Sequence, residues 1–130
     1  MLRIRFPLAV AAATLLLAAC QPMPIYNVAD APVTTPSGKA PSAAQVRTAI
    51  ITAGTSLGWS IKDAGPGKLE GTLHLRDHSA VVDIPYSAAH YSITYKSSEN
   101  LQAADGKIHK NYNGWVQNLD RAIRTEISRI

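Results

Sequence analysis

Apolar positions follow a different rule in each part of this chain, and the rules predict its elements. Phe6 to Ala19 is an almost unbroken apolar run, interrupted by Pro7 and Thr14. Gln21 to Pro41 has little apolar periodicity and carries Pro22, Pro24, Pro32, Pro36 and Pro41, the composition of an extended, semi-rigid tether. At ~3 Å per residue such a tether holds a domain tens of ångströms from its attachment point. From Ser42 the period becomes helical. Val46, Ala49, Ile50, Ala53 and Leu57 share one stripe, with Ser42 as N-cap and Gly58 as stop. Gly54 lowers helix propensity on the way.

The period then drops to two. Trp59, Ile61 and Asp63 alternate with Ser60 and Lys62, and Gly65-Pro66-Gly67 marks a turn. Leu69, Gly71, Leu73 and Leu75 form one side of a second strand, Ala80, Val82, Ile84 and Tyr86 of a third, and Tyr91, Ile93 and Tyr95 of a fourth. Pro85 has no N–H for a ladder, so it belongs at a strand end or bulge. After a polar loop from Ser97 to Lys110, Tyr112, Val116, Leu119, Ile123, Ile127 and Ile130 recur at helical spacing, with Trp115 beside them. Asp120 and Arg124 are expected to pair at i,i+4 on the outside of that helix. The expected fold is α+β: a four-stranded antiparallel meander with an N-terminal and a C-terminal helix packed on one face, the other face in water.

Composition changes the picture only after the first twenty residues are set aside. The hydrophobic share of 46% and the net charge of +4 over 130 residues are both inflated there. Without Arg3 and Arg5, the 13 basic residues fall to 11 against 9 acids, leaving about +2. That charge is too weak and too scattered for nucleic acid. One cysteine, Cys20, excludes an internal disulfide, so a small exported domain must rely on its apolar core.

The start of the chain carries an address. Two arginines precede the 14-residue apolar run of Phe6 to Ala19, which as helix spans ~21 Å against a ~30 Å hydrocarbon core. This is an export signal rather than a membrane span. Leu17-Ala18-Ala19-Cys20 then resembles the lipobox of bacterial lipoproteins at all four positions. The resemblance implies diacylglycerol on the Cys20 sulfur, cleavage before it, and acylation of the new amine, which leaves no free thiol. Three acyl chains at ~0.8 kcal/mol per buried methylene make a permanent anchor. In lipoproteins of Gram-negative bacteria an aspartate after the cysteine often retains the protein in the inner membrane. Gln21 stands there instead, which implies the outer membrane, facing the periplasm. The expected organisation is signal peptide 1–19, lipidated cysteine and tether 20–41, and domain 42–130.

Catalytic chemistry finds little support in the residues. His74, Asp77 and His78 are types that ligate zinc, but one points from a strand and the others lie in a turn, so no metal is expected. Ser79, Ser87, Ser92, Ser97 and Ser98 lack a nucleophile elbow or a clear histidine and acid beside them. Glu70 and Asp83 would be solvated on the polar sheet face, without the raised pKa a general acid needs. Gly65-Pro66-Gly67 lacks the lysine and helix of a phosphate loop. No cofactor and no enzymatic activity are expected.

The densest unusual stretch is Ile108-His109-Lys110-Asn111-Tyr112-Asn113-Gly114-Trp115. His109, Lys110, Asn111, Tyr112 and Trp115 are the candidate binding residues, for a glycan, a peptide or a partner protein. The stronger reading is structural: Tyr112 and Trp115 pack the first turn of the last helix, and Asn111 or Asn113 caps it. Together with Tyr95-Lys96-Ser97-Ser98-Glu99-Asn100-Leu101 and the following Val116-x-Asn118-Leu119, this stretch resembles an uncharacterised family of small proteobacterial lipoproteins ending in Ile-His-x-x-Tyr-Asn-x-Trp-Val-x-x-Leu. The resemblance covers about Ser42 to Ile130 and implies a helix, a meander and a final helix, but no activity. It departs near Ser97, where the family often carries aspartate. The expected role is non-enzymatic, structural or protein-binding, with an envelope protein or peptidoglycan as partner. A ligand-binding module for a glycan, peptide or small molecule is the alternative.

Overall fold

The computed structural model describes residues 2–4 and 21–130. The export signal and Cys20 lie outside the described residues. Ser42 opens helix α1 (Ala43–Ser56) with a reciprocal cap. Its Oγ accepts from the Gln45 N–H at 3.1 Å, and Gln45 Oε1 accepts from the Ser42 N–H at 2.9 Å, satisfying two donors a helix start leaves unpaired. Val46, Ala49, Ile50, Ala53 and Gly54 form the buried stripe. At Gly54 a Cβ would stand 2.6 Å from Ile61 Cδ1. The helix therefore lies tight against the strand that follows it, and the glycine that lowers propensity makes that approach possible.

The period-two segments form strands β3 (Ser60–Asp63), β4 (Lys68–Leu75), β5 (His78–Pro85) and β6 (His90–Glu99), each antiparallel to its neighbour. Leu69 faces Ile84, Gly71 faces Val82 and Leu73 faces Ala80 across β4 and β5, which builds the buried side. Pro85 ends β5, as its missing donor requires.

The sheet has five strands, not four, and its order is β2-β6-β5-β4-β3. The added edge is β2 (Val28–Pro32), antiparallel to β6. A second, two-stranded sheet pairs β1 (Met23–Pro24) with β7 (Lys107–Ile108). Both β1 and β2 come from the segment read as a tether. Val28 and Ala31 are both buried although three residues apart, because a bulge with Asp30 at φ 46° turns Ala31 back toward the core. That spacing hides the strand from a period-two reading. Helix α1 thus carries the chain from β2 at one edge of the sheet to β3 at the other.

The expected polar loop from Ser97 also begins later than its composition implies, since β6 runs on to Glu99. A register shift places Val82 opposite Tyr95 but Val81 opposite Ser97. The extra residue breaks the alternation there, and the Tyr95 N–H is met by Asn27 Oδ1 at 2.9 Å. Helix α2 (Lys110–Ile127) buries Tyr112, Val116, Leu119, Ile123 and Ile127, which join the same core as α1 and the inward side of the sheet. Leu57, Leu75 and Ile130 are exposed, contrary to their place in the apolar patterns.

Candidate functional site

The sequence-singled stretch from His109 to Trp115 splits into residues that serve the fold and residues that face outward. His109, rather than Asn111 or Asn113, is the N-cap of α2: its Nδ1 accepts from the Asn111 N–H at 3.2 Å. Tyr112 is fully buried, with its ring edge-on to Tyr95 at a centroid distance of 5.5 Å. Its hydroxyl has no hydrogen-bond partner among the described residues, and burial pushes its pKa above the usual phenol range.

Asn113 acts as a clamp. Its Nδ2 donates to Pro24 O at 2.9 Å, and its Oδ1 accepts from the Tyr26 N–H at 3.0 Å. With the pairing of Met23 to Ile108 and of Pro24 to Lys107, and the Ile25 N–H bonded to Gly106 O at 2.9 Å, residues 23–26 are fastened to β7 and the first turn of α2. Nothing in the composition of that proline-rich segment signals this, because its partners lie more than eighty residues away.

Lys110, Asn111 and Trp115 do come together. With Met23, Asn113, Gly114, Gln117 and Asn118 they line an open depression of about 490 Å³. Lys110 and Asn111 are exposed, Trp115 is half-buried, and Met23 is 48% exposed. A Cβ on Gly114 would meet nothing within 4 Å, so no neighbour in the chain requires a glycine. Glycine inside a helix costs about 1 kcal/mol relative to alanine. The depression is therefore open down to the helix backbone without a reason internal to the fold.

Elsewhere, polar groups neutralise one another. On the outward sheet face Lys96 Nζ lies 2.6 Å from Glu70 Oε2 and Lys68 Nζ 3.6 Å from Asp83 Oδ2. The hydrogen bond from Lys96 holds the Glu70 carboxyl below the usual range, the reverse of what a general acid needs. His78 Nδ1 is 2.8 Å from Asn100 O and its Nε2 is 3.5 Å from Asp77, while His74 is exposed on β4. Among the described residues no three histidines, cysteines or carboxylates gather where one ion could be held.

One buried tyrosine–aspartate pair is not legible in the sequence. Asp120, expected outside, is only 7% exposed. It accepts from the Tyr91 hydroxyl at 2.5 Å and pairs with Arg124 Nη2 at 2.9 Å. The Asp120–Arg124 spacing was legible; the tyrosine was not, because β6 supplies it. Tyr91 and Asp120 tie sheet to helix beneath the surface, and Arg124, its side chain 65% exposed, balances the carboxylate from the solvent side.

No protein-family model matches the chain, and no curated protein or solved structure matches it.

Proposed function

We propose that this chain is the precursor of a small lipoprotein of the bacterial envelope, acylated at Cys20, whose folded part is a non-enzymatic structural or protein-interaction module. The observation that carries the reading is the order Leu17-Ala18-Ala19-Cys20 at the end of a short apolar run with a basic start. Among the described residues no helix is long and apolar enough to cross a membrane. The neutralised carboxylates of the sheet face and the Tyr91–Asp120 pair balanced by Arg124 support a binding rather than a catalytic role. Outer-membrane residence facing the periplasm, with an envelope protein or peptidoglycan as partner, completes the proposal. The likeness of the C-terminal third to small proteobacterial lipoproteins points the same way.

The test is fractionation followed by mass spectrometry of the membrane-associated chain. The expected product begins at Cys20 and carries acyl chains, and Cys20→Ala abolishes both the acylation and the cleavage before that position. An exported product with a bare thiol would sink the proposal. A second reading, a module binding a glycan, peptide or small molecule, is favoured by the depression around Lys110 and Trp115. Titration with soluble glycan and peptide fragments tests this second reading, since ligand capture there would change Trp115 emission in the absence of any partner protein, and emission unchanged by every fragment would count against it.

A further inference from the structure

The position of the anchor relative to the first strand restricts where the folded part sits, and the argument rests on the acylation of Cys20 proposed above. Only Gln21 and Pro22 separate Cys20 from Met23. Three residue steps of extended chain span about 10 Å at most. Met23 and Pro24 are already paired to β7, and Asn113 grips Pro24 and Tyr26. The acyl chains must therefore enter the bilayer beside the depression lined by Met23, Lys110, Gly114 and Trp115.

We propose that this depression and its rim rest on the anionic phospholipid headgroups of the leaflet that holds the anchor, fixing the domain against the membrane in one orientation. The surface chemistry is that of a bilayer interface. Met23 presents an exposed apolar side chain and Trp115 a half-buried amphipathic ring, the pairing of apolar body and polar edge that settles at headgroup depth. Lys107 and Lys110 are exposed on either side of His109, and the first turn of α2 holds no acid. Asp105, in the turn before β7, is the acid nearest to them in the chain. The bare backbone at Gly114 lets a headgroup approach the helix closely.

The experiment uses the acylated protein purified from membranes, its mass measured first. It is reconstituted into phosphatidylglycerol–phosphatidylcholine vesicles in which a fraction of the lipids carry a headgroup nitroxide. Trp59 is 4% exposed and serves as the internal reference. Quenching of tryptophan emission is expected in the nitroxide vesicles and is expected to disappear in Trp115→Phe. Each of Lys107→Ala and Lys110→Ala should lower the docked-to-undocked ratio about fivefold, the worth of one lysine at an anionic surface. Both lysines are exposed, so these variants keep the fold. Acylated, vesicle-bound protein whose Trp115 emission is unquenched would overturn the inference and leave the lipoprotein reading standing. So would Trp115 emission that answers only to peptidoglycan fragments or to self-association. Protein recovered from membranes without acyl chains would overturn both.

Discussion

The Tyr91 phenol donates a 2.5 Å hydrogen bond to Asp120, a carboxylate 29 residues further along the chain. Tyr91 stands on β6 and Asp120 on α2, so the bond joins sheet to helix inside the core, and Arg124 balances the charge at 2.9 Å. Removing the donor leaves a nearly buried carboxylate with one partner fewer. Tyr91→Phe is expected to destabilise the domain by about 1.5–3 kcal/mol, the worth of a hydrogen bond to a charged group. Urea denaturation with an unchanged slope checks it; an unshifted midpoint would show that the bond contributes nothing.

The same tyrosine predicts an alkaline limit. Burial, then the bond to Asp120, raises the Tyr91 pKa above its ordinary 10.0. A raised folded-state pKa favours the protonated form, so its contribution is complete below pH 10 and is lost as pH climbs from there toward the folded value. Tyr112, raised by its own burial, acts in the same direction. Stability should fall above about pH 10, less steeply in Tyr91→Phe. Thermal melts at pH 8 to 11 measure the slope, and parallel slopes for the two proteins would refute the assignment.

Tyr112 predicts the opposite outcome from the same substitution. Its hydroxyl is buried without a partner among the described residues, which forfeits water without a compensating bond. The ring, edge-on to Tyr95, supplies the packing. Tyr112→Phe keeps the ring and removes the penalty, so stability should hold or rise, by up to about 1–3 kcal/mol. A loss above that of an ordinary surface change would reveal a bond made by this hydroxyl in solution.

Much of this architecture was legible because local rules and tertiary structure agree. Ser42 announces α1, and alternation in β4 and β5 announces the core side of the sheet. What escaped was set by partners distant in sequence. The bulge at Asp30 spaces Val28 and Ala31 like neither helix nor strand, and β1 becomes a strand only because β7 and Asn113 are there to receive it. The candidate surface was half legible. Lys110, Asn111 and Trp115 were singled out and do converge, but Met23, their neighbour in the depression, is supplied by residues that read as tether. Tyr112 and His109 proved to be core and cap.

The Asn113 clamp decides whether residues 23–26 belong to the domain or to a tether. The two bonds from one side-chain amide, to Pro24 O and from the Tyr26 N–H, hold a segment whose own pairing is a two-residue ladder. A ladder that short is marginal in water. Asn113→Ala removes both bonds while leaving the α2 cap on His109 intact. At a net worth of about 0.5–1.5 kcal/mol each, their loss should raise amide exchange at Ile25 and Tyr26 by about tenfold or more. The Val46 and Ile50 amides of α1 should keep their protection, because global unfolding, not local opening, governs exchange from a buried helix. Unchanged exchange at Ile25 would mean that the ladder holds without the clamp, and uniform acceleration everywhere would mean that Asn113 stabilises the whole fold. Acceleration confined to residues 23–26 is the result that makes Asn113 the fastening between the domain and the chain that leads to Cys20.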